Sequence, residues 1–247
     1  MRVTEFDGFW QVTAMPTLFP VSVYLVADHD GLILVDTGLP PFAPGILRAA
    51  GRLGRPIRRI ALTHAHFDHA GAVDRLIAAL PEAELICSAR EAPILAGDPS
   101  ANGPSAPPDA RPSPPPRLPG RFRPVAASPH RLVHDADRLG PLTVLASPGH
   151  TPGHVCYFME ATGALFAGDA FFTRGGLAVA GQKQALFPFV SRATWDQELA
   201  AASAARLAAL PIRHLATAHG PVLRDPCDRL REAVVRASSA ARRTAPR

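Results

Sequence analysis

Near the start of the chain, three short apolar stretches at 10–15, 21–27 and 32–36 follow one another, the last two separated by the polar turn Asp28-His29-Asp30-Gly31. Runs of this length bounded by turn residues predict strands joined as hairpins. The period then changes. A helix is predicted over 42–53, a strand over 59–63, a helix over 71–80 closed by Pro81, and a strand over 84–87. Ser88 and Glu91 stand at capping-box spacing, in which each side chain satisfies an orphan amide of a helix start, so a short helix should run to about Ala96.

The second half repeats the order. Strands are predicted at 142–146, 155–159 and 164–167, then a helix over 194–210 with Thr194 and Gln197 at capping-box spacing and an apolar stripe of Trp195, Leu199, Leu207 and Leu210. A strand at 214–218 precedes a last helix, opened by Asp225 as N-cap and Pro226 as first helical residue. Two β-rich halves, each with helices, predict a sandwich of sheets in a mixed α/β chain.

One segment breaks the pattern. Residues 99–129 carry 11 prolines, and proline lacks the amide donor that a helix interior or central strand needs. A long loop insertion is expected there, either solvated or folded over a site as a flap.

Length and composition bound the rest. With 247 residues, 47% hydrophobic and 19% charged, the chain suits one large globular domain spanning 1–247. No apolar run approaches the roughly 18 residues of a membrane helix, and the first residues lack the basic-then-apolar order of a secretory signal, so a cytoplasmic protein is expected. Cys87, Cys156 and Cys227 are odd in number and form no C-x-x-C pair, which points to packing rather than disulfides or a thiolate metal site. The net charge of +5 comes from scattered arginines, without a dense basic block or stacking aromatics, so no nucleic-acid partner is expected.

The chemistry is concentrated at 63–71, Thr-His-Ala-His-Phe-Asp-His-Ala-Gly, directly after a predicted strand. Three histidines and an aspartate in six positions, His64, His66, Asp68 and His69, would arise by chance in about one chain of this composition in a thousand. Imidazole and carboxylate suit Zn²⁺, Mn²⁺ or Fe²⁺, and neighbours on an extended turn and a helix start can diverge toward two ions. His150, Asp169 and His219 also end predicted strands, each beside glycine, which permits close backbone approach.

Read together, His64-x-His66-x-Asp68-His69, then His150, Asp169 and His219, with Asp36 in Leu-Val-Asp-Thr-Gly, resemble the metallo-β-lactamase superfamily from about Ser22 to Gly220. The resemblance implies a four-layered αββα sandwich with two divalent metal ions at one edge, zinc first, with iron or manganese as options. It implies His64, His66 and His150 on one ion, Asp68, His69 and His219 on the other, and Asp169 bridging. Asp36 would orient a ligand, and Asp68, Asp169 and Asp36 form the catalytic carboxylates. The implied reaction is hydrolysis of a small ester, lactone or thioester by a metal-bridging hydroxide, with no serine or cysteine nucleophile needed.

Alternatives in the same superfamily are a lactamase or phosphodiesterase, or a persulfide dioxygenase with a single iron on His64, His150 and Asp169. Asp169 stands where true β-lactamases of the superfamily usually carry Cys or Ser, which argues against antibiotic hydrolysis. Phe172 replaces the tyrosine common in acyl-homoserine-lactone lactonases, and the 28 residues after His219 leave room for one helix rather than the helical domain of many glyoxalase II enzymes. His154 is expected to pack behind the ligands. Phe171, Phe172, Leu186, Phe187 and Phe189 are expected as a satellite core or an apolar pocket wall, and Arg174 as an exposed side chain or a substrate contact. The expected partner is a small-molecule substrate, with no membrane; the oligomeric state stays open, a homodimer among the options.

Overall fold

A computed structural model of the chain describes residues 1–17, 19–98, 121–184, 187 and 189–244. Residues 99–120 of the proline-rich segment, and Leu186, lie outside the described residues, and so does the question of a flap. No described helix is long and apolar enough to cross a membrane.

The first sheet is laid down in chain order: β1 (Arg2–Phe6), β2 (Phe9–Ala14), β3 (Val21–Asp28), β4 (Gly31–Val35), β5 (Ile57–Ala61), β6 (Glu84–Ser88) and β7 (Arg131–Val133). Strands β1 to β4 pair antiparallel through hairpins. From β4 to β7 the pairing is parallel, because a connection intervenes at each step. Those connections carry α1 (Ala43–Arg52), α2 (Phe67–Ala70), α3 (Val73–Ala79) and α4 (Ala92–Leu95).

The second sheet contains β8 (Arg138–Leu139), β9 (Leu142–Ala146), β10 (Val155–Met159) and β11 (Ala164–Gly168). A small hairpin, β12 (Phe171–Phe172) with β13 (Ala178–Val179), α5 (Phe189–Arg192) and α6 (Gln197–Leu207) follow. Then β14 (His214–Thr217) lies parallel to β11, β15 (Leu223–Arg224) closes that edge, and α7 (Cys227–Thr244) ends the described chain.

Strand periodicity explains the layers. On β4, Ile33 and Val35 join the core between the sheets, while Leu32 and Leu34 join the core under α1 and α3. On β10, Val155, Tyr157 and Met159 face the other sheet, while Cys156 and Phe158 pack toward α6 and α7. Successive side chains point to opposite faces, so a strand covered on both sides reads as a continuous apolar run rather than an alternating one. The result is the expected four-layered αββα sandwich.

Several boundaries differ from expectation. β1 carried no strand signal, since its exposed edge position leaves its side chains without a consistent apolar face. The helix expected from Thr194 starts at Gln197 and is capped by Asp196, whose Oδ1 accepts the Leu199 amide at 2.9 Å. Trp195 and Asp196 instead donate their amides to His150 and Gly149 carbonyls, which holds this stretch extended. Asp225 takes a positive φ of 44° rather than the extended conformation of an N-cap, and α7 begins at Cys227. Cys87 and Cys156 are buried as expected; Cys227 is half-buried.

Candidate metal centre

The strands β4, β5, β9, β11 and β14 all end at one edge of the sandwich, and the loops leaving them carry Asp36, His64 to His69, His150, Asp169 and His219. Cross-sheet hydrogen bonds fix that edge. The Val155 amide donates to the Thr63 carbonyl at 3.0 Å, and the Tyr157 hydroxyl to the Leu62 carbonyl at 2.8 Å. Tyr24 donates to the Thr217 carbonyl at 2.6 Å, and Gln11 to the Gly220 carbonyl at 3.0 Å, bracing the turn after β14.

Two sets of side chains converge there. In the first, His66 Nδ1 lies 2.9 Å from His64 Nε2 and 2.9 Å from His150 Nε2. In the second, His219 Nε2 lies 3.4 Å from Asp68 Oδ2, and His69 Nε2 lies 4.0 Å from Asp68 Oδ1. Asp169 faces both sets. Its Oδ2 is 3.3 Å from His150 Nε2, and its Oδ1 is 3.4 Å from His69 Nε2 and 3.3 Å from His219 Nε2. All of these side chains are buried except that of Asp68, which is 28% exposed.

The outer nitrogens explain which way the inner lone pairs point. Thr63 spends its hydroxyl proton on Asp36 Oδ2 at 2.8 Å, so its oxygen accepts from His64 Nδ1 at 3.0 Å and leaves His64 Nε2 as a bare acceptor. His69 Nδ1 lies 2.8 Å from Asp36 Oδ2, and His219 Nδ1 lies 2.8 Å from the Pro20 carbonyl oxygen, an acceptor only. His150 Nδ1 faces the Thr194 hydroxyl at 3.2 Å, which is why Thr194 does not cap the following helix. Histidines oriented through one nitrogen so that the other faces a common point are the usual arrangement of metal ligands.

The residues present fit a divalent cation. His69 Nε2 and Asp169 Oδ1 are buried and 3.4 Å apart, yet neither makes a hydrogen bond. Unsatisfied buried polar atoms are costly, and a cation uses both lone pairs at once. Among the described residues, His64, His66 and His150 form one group able to hold an ion, and Asp68, His69 and His219 another.

Electrostatics separate the two sets. Burial, opposed at His150 by Asp169 and reinforced at both by neighbouring imidazoles, pushes His64 and His150 well below the ordinary histidine value, leaving neutral rings ready to donate lone pairs. For His219 burial acts in the same direction, but Asp169 and Asp68 outweigh it and raise the ring to about 10. His69 is raised likewise, against its burial, by Asp169, Asp36 and Asp68. The carboxyls of the partly exposed Asp68 and the buried Asp169 are both held low by the same two imidazoles, against their desolvation. A cation entering this second set therefore displaces a proton.

His154 is not among the converging groups. Its Nε2 accepts the Asp169 backbone amide at 3.2 Å, and its Nδ1 faces the Ser147 hydroxyl at 2.8 Å. Burial, helped by the nearby His69 and His66 and opposed by Asp169, pushes its pKa down to about 3, so the ring is neutral. The turn that delivers Asp169 needs glycine before it. Gly168 has φ of +48°, and a Cβ there would meet Thr63 Oγ1 at 2.6 Å and His154 Nε2 at 2.8 Å.

Aromatic side chains border both sets. Phe122, in the described end of the proline-rich segment, packs against His66 with ring centroids 4.6 Å apart and the rings tilted by 38°. Phe19 and Phe187 lie 5.4 and 5.0 Å from the His219 ring and form a small apolar cluster with Phe172 and Ala178. Phe171 turns away into the core under α6 and α7. Arg174 donates to the Thr17 carbonyl, tying the β12–β13 hairpin to the loop before β3.

Glu91 was not among the candidate site residues. Its carboxylate is buried and does not return to the Ser88 amide as a capping box would. Oε2 accepts the Ala65 amide at 2.8 Å, and Oε1 accepts the Thr151 hydroxyl at 2.7 Å and the Gly153 amide at 2.8 Å. The only sequence signal was the Ser88-to-Glu91 spacing, which a helix cap also explains. Thr63, Ser147 and Thr194 were likewise unmarked, because hydroxyl side chains are common everywhere.

Comparison with known proteins agrees with this geometry. Residues 16–219 match the family model described as "Metallo-beta-lactamase superfamily". The chain is 39% identical over 240 residues to the uncharacterized protein YobT of Bacillus subtilis, covering 96% of this chain and 99% of that one. It is 32% identical over 136 residues to a hydroxyacylglutathione hydrolase of Rhodospirillum rubrum, covering 55% of this chain and 42% of the relative. The crystal structure of TTHA1623 in a di-iron-bound form superposes with a TM-score of 0.63 at 27% identity, over 89% of this chain and 96% of that one.

Proposed function

The chain belongs to the metallo-β-lactamase superfamily as a metal-dependent hydrolase, and from that premise we propose that it cleaves a small ester, lactone or thioester at a site for two divalent metal ions. The observation that carries this reading is Asp169, whose two oxygens face different histidine sets at 3.3 to 3.4 Å, as a bridging carboxylate must. His64, His66 and His150 would hold one ion and Asp68, His69 and His219 the other, with zinc first and iron or manganese next. When bound, such ions supply a water of lowered pKa and a Lewis-acid hold on the carbonyl oxygen.

The chain's own residues account for the remainder. Asp68 is the one member of the constellation open to solvent, so substrate approaches past it. Its carboxylate would take a proton from the attacking water and return that proton to the departing oxygen or sulfur. Asp169 orients the same water from the buried side. Asp36 has both oxygens engaged by Thr63 and His69, so it acts through them. Phe122 beside one set and Phe19 with Phe187 beside the other offer apolar walls for an acyl or aromatic group. Phe172, buried in that second wall, offers no polar contact to a lactone.

Elemental analysis of protein purified without chelator or added metal, followed by a panel of esters, lactones and thioesters, tests the reading. About two equivalents of divalent metal per chain with turnover of at least one class supports it. A single equivalent of iron, with oxygen uptake on persulfides and no hydrolysis, overturns it in favour of the dioxygenase alternative.

A further inference from the structure

We propose that Glu91 is a positioning residue that clamps the loop of His64 and His66 to the turn of His150, and so sets the metal affinity of that triad without touching any of its imidazoles. The inference rests on the reading of these three histidines as ligands of one ion.

The two pieces it joins come from different sheets. His64 and His66 follow β5 of the first sheet, and His150 follows β9 of the second. The Val155-to-Thr63 bond ties the sheets together just before His64, and beyond it three ring nitrogens from the two pieces must meet at one point. Glu91 spans that gap. One oxygen takes the amide of Ala65, the residue between His64 and His66, and the other takes the hydroxyl of Thr151 and the amide of Gly153, directly after His150.

The surroundings are built for this contact. Ser88 donates its hydroxyl to the Gly153 carbonyl at 2.6 Å and accepts the Glu91 amide at 3.2 Å, so both ends of the clamp start from one turn. Gly153 admits no side chain, because a Cβ would lie 2.7 Å from the Glu91 nitrogen and 2.8 Å from Ser88 Oγ. Glu91 itself is 1% exposed and has no ion-pair partner among the described residues. A buried carboxylate is expensive, and the three charge-assisted hydrogen bonds, with a smaller contribution from the neighbouring Arg90 charge, oppose that cost. Helix α4 would need only a neutral cap; the charge is spent on loops that carry ligands.

Glu91→Gln separates clamp from bulk. All three partners donate, so an amide must turn its NH₂ toward at least one N–H donor. Stepwise Co²⁺ titration of the metal-free chain, followed by absorption and by competition with a chelating dye, resolves two dissociation constants. The triad's constant should weaken by about 10- to 100-fold in Glu91→Gln, while the constant of the Asp68, His69 and His219 set moves less than about threefold. Thr151→Val should shift the triad in the same direction by less, and the double variant by less than the sum, because both act through one contact. Leu230→Ala, a truncation in the core under α6 and α7, which contains none of the clamp residues, reports how far a general loss of stability moves both constants.

Equal weakening of both sets, or unchanged constants with a lowered Tm, would overturn the proposal. Failure of the wild-type chain to bind two metals would instead defeat the proposed function. Hydrogen exchange on metal-free protein then still decides on the clamp: the Ala65 and Gly153 amides should be protected together and lose protection together in Glu91→Gln. Independent exchange of the two amides would sink it.

Discussion

Asp36 Oδ2 accepts the Nδ1 proton of His69 at 2.8 Å, and the same oxygen takes the Thr63 hydroxyl that in turn receives His64. One carboxylate thus sets the tautomer of an imidazole in each of the two sets. Asp36 reaches this position from a backbone φ of +61°, a conformation that aspartate and asparagine tolerate better than most residues.

Asp36→Asn should therefore keep the fold and lose metal. Its amide must present NH₂ either to the Thr63 amide or to His69 Nδ1, and the latter turns a proton toward the ion. We expect metal affinity to fall by about 10- to 100-fold, most at the His69 set, with the circular dichroism spectrum retained. Unaltered affinity in a chelator competition would remove Asp36 from this role.

Asp68→Asn should cut kcat by about 100- to 10,000-fold, the range of a lost proton carrier, with Tm shifted by only a few degrees. The side chain is the exposed member of its cluster, so little packing is lost. An unchanged kcat on a substrate of the wild-type enzyme would refute the assignment.

His154 predicts an acid limit to stability. Its folded pKa of about 3 lies below the ordinary value of 6.5, so folded protein refuses a proton that unfolded chain accepts. The stability it contributes is complete above about pH 6.5 and is lost as pH falls from there toward 3. In His154→Gln the amide oxygen can still accept the Asp169 amide while the titration disappears. Denaturant unfolding of both chelated proteins at pH 7 and pH 4 should show a smaller acid loss in the variant; equal losses would contradict the burial of a neutral ring.

Phe122 packs against His66 at the border of the site and is half-buried. Phe122→Ala should raise KM for substrates with apolar acyl groups about tenfold or more, the scale of a lost hydrophobic pocket contact, while kcat stays within about threefold. A fall in kcat at constant KM would place Phe122 in the chemistry rather than in binding.

Most of the layer structure could be read from the sequence, because strand and helix periods are local. The strands Leu142–Ala146 and Val155–Met159 lie where the apolar runs placed them, and α1 lies within one residue of each expected end. Errors arose where a side chain had a distant partner. Thr194 looks like a cap only until His150 arrives beside it, 44 residues away in sequence, and Glu91 looks like a capping-box glutamate until Ala65, Thr151 and Gly153 surround it.

The sequence alone determined the donor types, the dense His64-to-His69 motif, and the periodicities that make two sheets with outer helices, since each depends on residues near one another in the chain. Tertiary structure alone decided that Asp169 shares its oxygens between two histidine sets, that Asp36 orients two imidazoles, and that Glu91 joins the Ala65 loop to the Thr151–Gly153 turn. The reason is physical: a hydrogen bond has a direction and a reach of about 3 Å, and only the packed sheets bring donors and acceptors from separate strands within it.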